Sequence, residues 1–237
     1  MRLADVENLN HEDEFVFAVA VGLENNLMHC ALLYKWEDDR IRTIEFFGNR
    51  SIRHSRTIGD LGHKDYVYSF YNRDLIIDPI AAQVPAICEL IRENNESIGF
   101  GIKFSETKFD THGNLVSGNN DFGLTCATFV IAVLQRASIY SIDTENWQPR
   151  EQDVEWQKKV LEHLVEANSE NPISCPDVVV DHFRNNIGFF RYRPEEVAAS
   201  TASPEMPATF DFCQEYGHRI CESIEMGIEF YETTYLG

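Results

Sequence analysis

Residues 121–135 join a polar, glycine-containing loop to an apolar segment long enough for a helix. Cys126 stands at the junction, and Thr125 before it is a residue type favoured at a helix N-cap. A thiol in the first helical turn lies near the positive end of the helix dipole, which favours the nucleophilic thiolate. The backbone N–H groups there can also stabilise an oxyanion during acyl transfer. The alternative is that Cys126 is a small buried core residue, the commonest role of a free cysteine.

Two ionisable residues, His29 and Glu45, lie within otherwise apolar strands. Runs of β-branched, aromatic and small residues predict strands at 15–23, 27–36 and 41–47, separated by short turn signals. We expect these strands to form an antiparallel meander. An ionisable side chain in an apolar strand is costly unless it has a partner. If His29 and Glu45 face the same side of adjacent strands, they can pair.

Cysteine acyl-transfer chemistry needs a thiolate, a general base and a group that orients the base. Cys126 could supply the thiolate, His29 the base and Glu45 the orienting group. Taken singly, His29 fits a satisfied core histidine and Glu45 an acid at an exposed edge. If Glu45 does not orient the histidine, Asp121 and His112 in the loop before the cysteine are the next candidates.

These motifs resemble those of the permuted papain-fold enzymes, which include lecithin:retinol acyltransferase-like proteins and permuted relatives of the NlpC-type peptidases. The strand His29-Cys-Ala-Leu-Leu-Tyr, followed by Arg42-Thr-Ile-Glu-Phe, is similar to their histidine hairpin. Thr125-Cys-Ala-Thr-Phe-Val is similar to their Asn-Cys-Glu-His-Phe-Val type of motif. The resemblance implies a permuted papain-like fold, with Cys126 as nucleophile, His29 as base and Glu45 as orienting residue.

The resemblance covers residues 15–140 and departs from the family pattern around the cysteine. Thr125 replaces the asparagine, and Ala127-Thr128 replace Glu-His. These differences, and the absence of a hydrophobic C-terminal anchor, argue against the lipid acyltransferase subgroup.

Strands concentrate early in the chain and helices later, which predicts an α+β protein. We expect a papain-like catalytic core over residues 1–140, its antiparallel sheet packed on the helix that bears Cys126. Residues 141–237 are expected to form a mainly helical extension on that core. Further strands are predicted at 66–71 and 98–104, and helices at 79–94, 126–138, 151–167, 175–185 and 210–226. Asp78 is the expected N-cap of the first helix, which Pro85 starts or kinks.

The net charge of −19 disfavours binding to nucleic acid or to anionic membranes through the overall field. Five arginines between positions 40 and 56 oppose that field locally. They predict either a solvated patch paired with nearby acids or a rim that binds a substrate carboxylate. For the second interpretation, Arg50, Arg53 and Arg56 are the expected substrate-binding residues.

The chain has six cysteines and no apolar stretch of eighteen residues. The acidic N-terminus has no apolar signal core, so we expect a cytoplasmic protein with reduced thiols. Cys213, His218 and Cys221 have spacings that could just share a helix face, but packing is the favoured interpretation. We therefore expect neither a metal nor another cofactor.

The sequence thus predicts a hydrolase of the thiol protease type, cleaving an amide bond in a peptide, isopeptide or cell-wall-like substrate. A thioesterase or acyltransferase could use the same residues on an acyl substrate, because only the acceptor differs. A third possibility is a binding module whose acidic surface engages a basic partner. The oligomeric state does not follow from the sequence.

Overall fold

The computed structural model describes residues 3–4, 15–24, 27–37, 40–47, 51–55, 66–95, 98–118, 123–172 and 175–235. This part of the chain has an α+β fold, as predicted, built on a six-stranded antiparallel sheet in the order β1-β6-β2-β3-β4-β5. Its strands are β1 (Leu3–Ala4), β2 (Phe17–Glu24), β3 (Leu27–Lys35), β4 (Ile41–Phe47), β5 (Ser51–Ser55) and β6 (Val67–Phe70). A separate hairpin pairs β7 (Lys108–Phe109) with β8 (Leu115–Val116).

The predicted meander is confirmed in β2, β3 and β4, which pair consecutively and antiparallel. Strand β5 continues this order and pairs with β4 along its whole length, although the sequence predicts a loop over 48–65. This segment has the sequence Ser-Ile-Arg-His-Ser, with one apolar residue among four polar ones, so it has no apolar face of its own. Pairing with β4 therefore supplies the order that local composition does not.

The helices of the described chain are α1 (Asp78–Ala81), α2 (Gln83–Asn94), α3 (Cys126–Arg136), α4 (Glu151–Glu170), α5 (Asp177–Asn185), α6 (Pro194–Thr201) and α7 (Phe210–Tyr235). None of them combines the length and the apolar composition that crossing a membrane requires. The predicted helix over 79–94 is divided at Ala82, which places Pro85 in the first turn of α2, where its missing N–H costs least. Asp78 lies inside α1 and does not cap it, so that prediction is wrong.

The main core lies between one sheet face and helices from both halves of the chain. Val19, Leu32 and Phe46 from the strands meet Phe129 of α3 and Val197 of α6 in this cluster. Helix α6 is buried along its whole length, and Ser69 of β6 donates a hydrogen bond to its Ala198 carbonyl at 2.8 Å. The sequence predicts no helix here. The proposed boundary at residue 140 stays a prediction, but residues beyond it complete this core.

Candidate active site

Cys126 is the first residue of α3, and two local devices fix its position. Thr125 caps the helix through a reciprocal pair of hydrogen bonds with Thr128, at 3.2 and 2.7 Å. The preceding Leu124 is held by backbone bonds to Gly99 and Gly101. The short loop before the helix is therefore tied at both ends.

A close approach of two backbones explains the glycines near this loop. A Cβ at Gly123 would overlap the carbonyl oxygen of Gly99, so a side chain there would push the cysteine loop off its support. The sequence predicts such an approach, by a backbone or a ligand, from the glycines in 98–104. The strand predicted over the same residues is wrong, because only Phe100 forms an isolated bridge, with Leu124.

His29 and Glu45 are paired across the sheet. His29 Nε2 lies 2.7 Å from Glu45 Oε2, and their side chains are 9% and 3% exposed. The ring of Phe47 packs edge-on against the imidazole. A hydrogen bond this short between buried groups fixes the ring orientation and leaves Nδ1 to face the rest of the site.

The Cys126 sulfur lies close enough to His29 and to Cys30 for both residues to lower its pKa. Successive strand side chains point to opposite sheet faces, so an atom close to both must lie at the edge of β3. That edge is open because the β3–β4 ladder ends at Leu32 and Ile44, while β2 pairs with β3 through residues 27–34. The end of the ladder thus makes room for the sulfur.

Cys30 also acts on the sulfur, since its thiol and its backbone N–H both lower the pKa of Cys126. Cys30 is fully buried, and burial raises its own pKa well above the usual range, so it remains a thiol. No sequence pattern marks this residue, because it follows His29 directly and points to the other sheet face.

These contacts favour an ion pair between thiolate and imidazolium. The hydrogen bond from Cys30 is the largest influence on Cys126; burial opposes it, and His29 adds to it, so that the pKa falls well below its usual range. Burial lowers the pKa of His29, but Cys126 and Glu45 together outweigh it and raise the pKa to about 10. At neutral pH the sulfur is therefore a nucleophile and the ring a proton donor.

Helix α3 adds donors for an oxyanion. The N–H groups of Cys126 and Ala127, in its first two positions, have no intrahelical acceptor. Cys126 is a partly exposed residue, unlike the buried His29 and Glu45. The arrangement thus combines a nucleophile, a proton donor and oxyanion donors.

Two arginines of the predicted cluster, Arg42 and Arg53, lie in different surroundings. Arg42 hydrogen-bonds Glu89 at 3.0 Å, in agreement with the interpretation as paired charges. Arg53 lies in β5 opposite Glu45, with its guanidinium 3.1 Å from the Phe47 ring centroid. Arg50 and Arg56 lie outside the described residues, so the substrate-binding role of Arg50, Arg53 and Arg56 stays a prediction.

The other residues singled out in the sequence are placed as follows. Asp121 lies outside the described residues, and His112 is exposed in the β7–β8 turn, where its N–H binds Asp110. His218 forms an ion pair with Glu222 on α7, whereas burial raises the pKa of Cys221 to about 12. Among the residues described, no group of three potential ligands is arranged for a metal ion.

Comparisons of the chain with family models, with curated proteins and with solved structures find no match. The resemblance to permuted papain-fold enzymes therefore remains a hypothesis from the motifs. The function has to be argued from the site itself.

Proposed function

We propose that this protein is a cysteine hydrolase that cleaves an amide bond through a thioacyl-enzyme intermediate. The observation that carries the proposal is the buried hydrogen bond between Glu45 and His29, next to a cysteine at a helix N-terminus whose pKa His29 lowers. Cys126 is a partly exposed residue, whereas His29 and Glu45 are buried. This is the order expected of a nucleophile, its proton carrier and an orienting group.

In the first half-reaction the Cys126 thiolate attacks the substrate carbonyl carbon and forms a C–S bond. The carbonyl electron pair moves to oxygen, where the N–H groups of Cys126 and Ala127 are placed to stabilise the charge. As the oxyanion collapses, the C–N bond breaks and the imidazolium of His29 gives its proton to the leaving amine. The products are a free amine and a thioester on Cys126.

In the second half-reaction water attacks the thioester and His29 accepts the proton. Collapse of the second tetrahedral intermediate breaks the C–S bond, releases a carboxylic acid and restores the thiolate–imidazolium pair. Glu45 does not exchange protons in this scheme. It holds the ring orientation and stabilises the positive charge that the ring carries between steps.

A substrate panel with matched leaving groups tests this proposal. Each acyl group is offered as an amide and as an ester or thioester, with Cys126→Ala as the blank. Turnover of amides by the wild type alone supports the hydrolase. Turnover of esters but no amide favours the thioesterase or acyltransferase that uses the same Cys-His site.

Labelling with iodoacetamide separates both enzymes from the third candidate, a binding module with a basic partner. A thiolate reacts far faster than a thiol, so Cys126 should be modified before the other five cysteines. Peptide mass spectrometry at limiting reagent measures the order. If Cys126 is modified no faster than the others, the enzyme proposal is wrong.

A further inference from the structure

A second group of charges lies beside the site, in the part of the chain that the motifs do not explain. Arg150 hydrogen-bonds both Asp153 and Glu196, and Arg193 donates to Asp153 at 2.9 Å. The side chains of Arg150, Asp153 and Glu196 are at most 7% exposed. These two arginines and two carboxylates satisfy one another.

Arg191 belongs to the same group but is bound differently. Its carbonyl accepts hydrogen bonds from Trp147 and Arg150, both at 3.0 Å, which fixes its backbone. Its guanidinium stacks on Trp156, 3.6 Å from the ring centroid, and is 13% exposed. Its nearest carboxylate oxygen, on Asp153, is 3.8 Å away, beyond hydrogen-bonding distance. Within the described residues, no acceptor lies in hydrogen-bonding distance of this guanidinium.

Arg191 has no carboxylate to itself. Its ion-pair partner Asp153, at 3.8 Å, is held at shorter distances by Arg150 and Arg193, and Glu196 is held by Arg150. A largely buried guanidinium with unused donors is costly unless an anion binds it. Arg191 therefore keeps donors that an anion can use, on a protein whose net charge is −19.

Apolar side chains link the surroundings of this charge to the thiol site. Trp156 and Phe100 pack on one apolar cluster, and Phe100 also stacks on Phe46, the neighbour of Glu45 in β4. Phe100 pairs with Leu124, two residues before Cys126. The negative charge of Cys126 also acts on Arg191 through the protein interior.

We propose that Arg191 binds a carboxylate of the substrate close to the bond that Cys126 attacks. The site then selects anionic acyl compounds, and the carboxylate contact comes from the C-terminal half of the chain. A guanidinium fits this role because its planar fork can bind both carboxylate oxygens, and stacking on Trp156 holds the fork in place. This inference rests on the proposed function, since it requires a reactive Cys126.

Iodoacetate and iodoacetamide test the inference without a known substrate. They alkylate the same sulfur and differ in charge, so the ratio of their rates at Cys126 reports a nearby anion-binding group. In the wild type we expect this ratio to exceed that of free cysteine at the same pH. Arg191→Gln and Arg191→Met should lower it by about tenfold or more, as losing a hydrogen bond to a charged group does. The iodoacetamide rate should change much less.

Arg184→Gln is the matched control, because it removes an equal charge from an exposed ion pair with Asp181 and should change the ratio by less than about twofold. An unchanged ratio in the Arg191 variants, with iodoacetamide still selective for Cys126, overturns this inference alone. If the variants do not fold, a wild-type ratio below that of free cysteine overturns it without them. If iodoacetamide is not selective for Cys126 in the wild type, the proposed function itself is wrong.

Discussion

The protein contains two His–Glu clusters made from similar residue types, one formed by β3, β4 and α3 and the other by β3, β5 and α2. The first contains His29, Glu45 and Cys126. The second contains His54, Glu89 and Tyr34, where the Tyr34 hydroxyl donates to Glu89 at 2.8 Å and lies 3.0 Å from His54 Nε2. Only the first cluster includes a partly exposed nucleophile.

The surroundings shift the pKa values of the two histidines in opposite directions. Burial lowers the pKa of His54, Glu89 opposes it, and the positive charges of Arg92 and Arg42 leave it below the usual value. The pKa of His29 is raised to about 10, because its anionic neighbours outweigh burial. Glu89 accepts hydrogen bonds from Tyr34, Arg42 and Arg92, whereas Glu45 is hydrogen-bonded to His29.

A buried His–Glu pair therefore does not by itself indicate catalysis. The second cluster is a closed network that joins α2 to the sheet, and its hydrogen bonds are used among its own members. The first cluster ends at Cys126, a partly exposed residue at the start of a helix. Variants in each cluster should consequently change different properties: reactivity in the first and stability in the second.

The largest effect is expected for Cys126→Ala. Loss of the nucleophile should reduce turnover by roughly 10³-fold or more, because no other group can form the acyl-enzyme. The thermal midpoint should change little, since the lost side chain is small and partly exposed. Cys221→Ala is the control and should keep full turnover, as burial raises the pKa of that thiol to about 12. Turnover in Cys126→Ala close to the wild-type level would contradict the assignment.

The second-largest effect is expected for His29→Ala. The Cys126 thiolate loses the imidazolium, so its alkylation at pH 7 should slow by about 30-fold or more, as an ordinary thiol is only a few per cent ionised there. The wild-type rate should change little with pH around neutrality, because the pKa of Cys126 is well below its usual range and that of His29 is raised to about 10. In the variant the rate should depend more strongly on pH, because the pKa of Cys126 rises when the contribution of His29 is lost. A stopped-flow pH profile with iodoacetamide measures both, and equal profiles would exclude an ion pair.

Glu45→Gln should have a smaller effect, since Glu45 orients and stabilises the ring but does not react. We expect turnover to fall roughly tenfold to a hundredfold, less than in His29→Ala. The measurement is kcat on the substrate identified by the panel, with binding followed separately through KM. A variant with wild-type kcat would mean that another polar group orients His29.

The contacts of His29 and Glu45 could be predicted because β-structure is periodic. Alternation places each residue on a known face, and a meander makes their strands neighbours. The position of Cys126 at a helix start could be predicted because a polar, glycine-containing loop gives way there to an apolar segment. Together these local rules identify the residues of the site.

Cys30 and Arg191 were missed because their positions depend on contacts between distant elements. Cys30 reaches the sulfur only because the β3–β4 ladder ends at Leu32, which no local pattern encodes. Arg191 lies in an irregular segment before α6, a helix that is buried along its whole length and so shows no amphipathic period in its sequence. Tertiary packing fixes both positions.

Cys30→Ala should lower the reactivity of Cys126 but keep the nucleophile and the base. It removes the thiol that lowers the pKa of Cys126 most, while the backbone N–H of residue 30 remains. We therefore expect the pKa of Cys126 to rise and the alkylation rate at neutral pH to fall. The pH profile of alkylation measures this change. Cys30→Ser keeps a donor and is the control, so a larger shift in Ser than in Ala would contradict the hydrogen bond.

The smallest effect on reactivity is expected for Glu89→Gln, which leaves the first cluster intact. Alkylation of Cys126 should keep its wild-type rate, whereas the free energy of unfolding at pH 7 should fall by about 1–3 kcal/mol, because Arg42 and Arg92 lose a buried countercharge. Burial opposes ionisation of Glu89, but hydrogen bonds from Tyr34, Arg92 and Arg42 outweigh it and lower the pKa.

A lowered folded-state pKa contributes stability above the unfolded value, near 4.3, and loses it as pH falls through the folded value. The stability difference between wild type and Glu89→Gln should thus shrink below about pH 4.5. Urea unfolding from pH 3.5 to 7 measures it. A variant that loses Cys126 reactivity while keeping its stability would show that the two clusters are one functional unit.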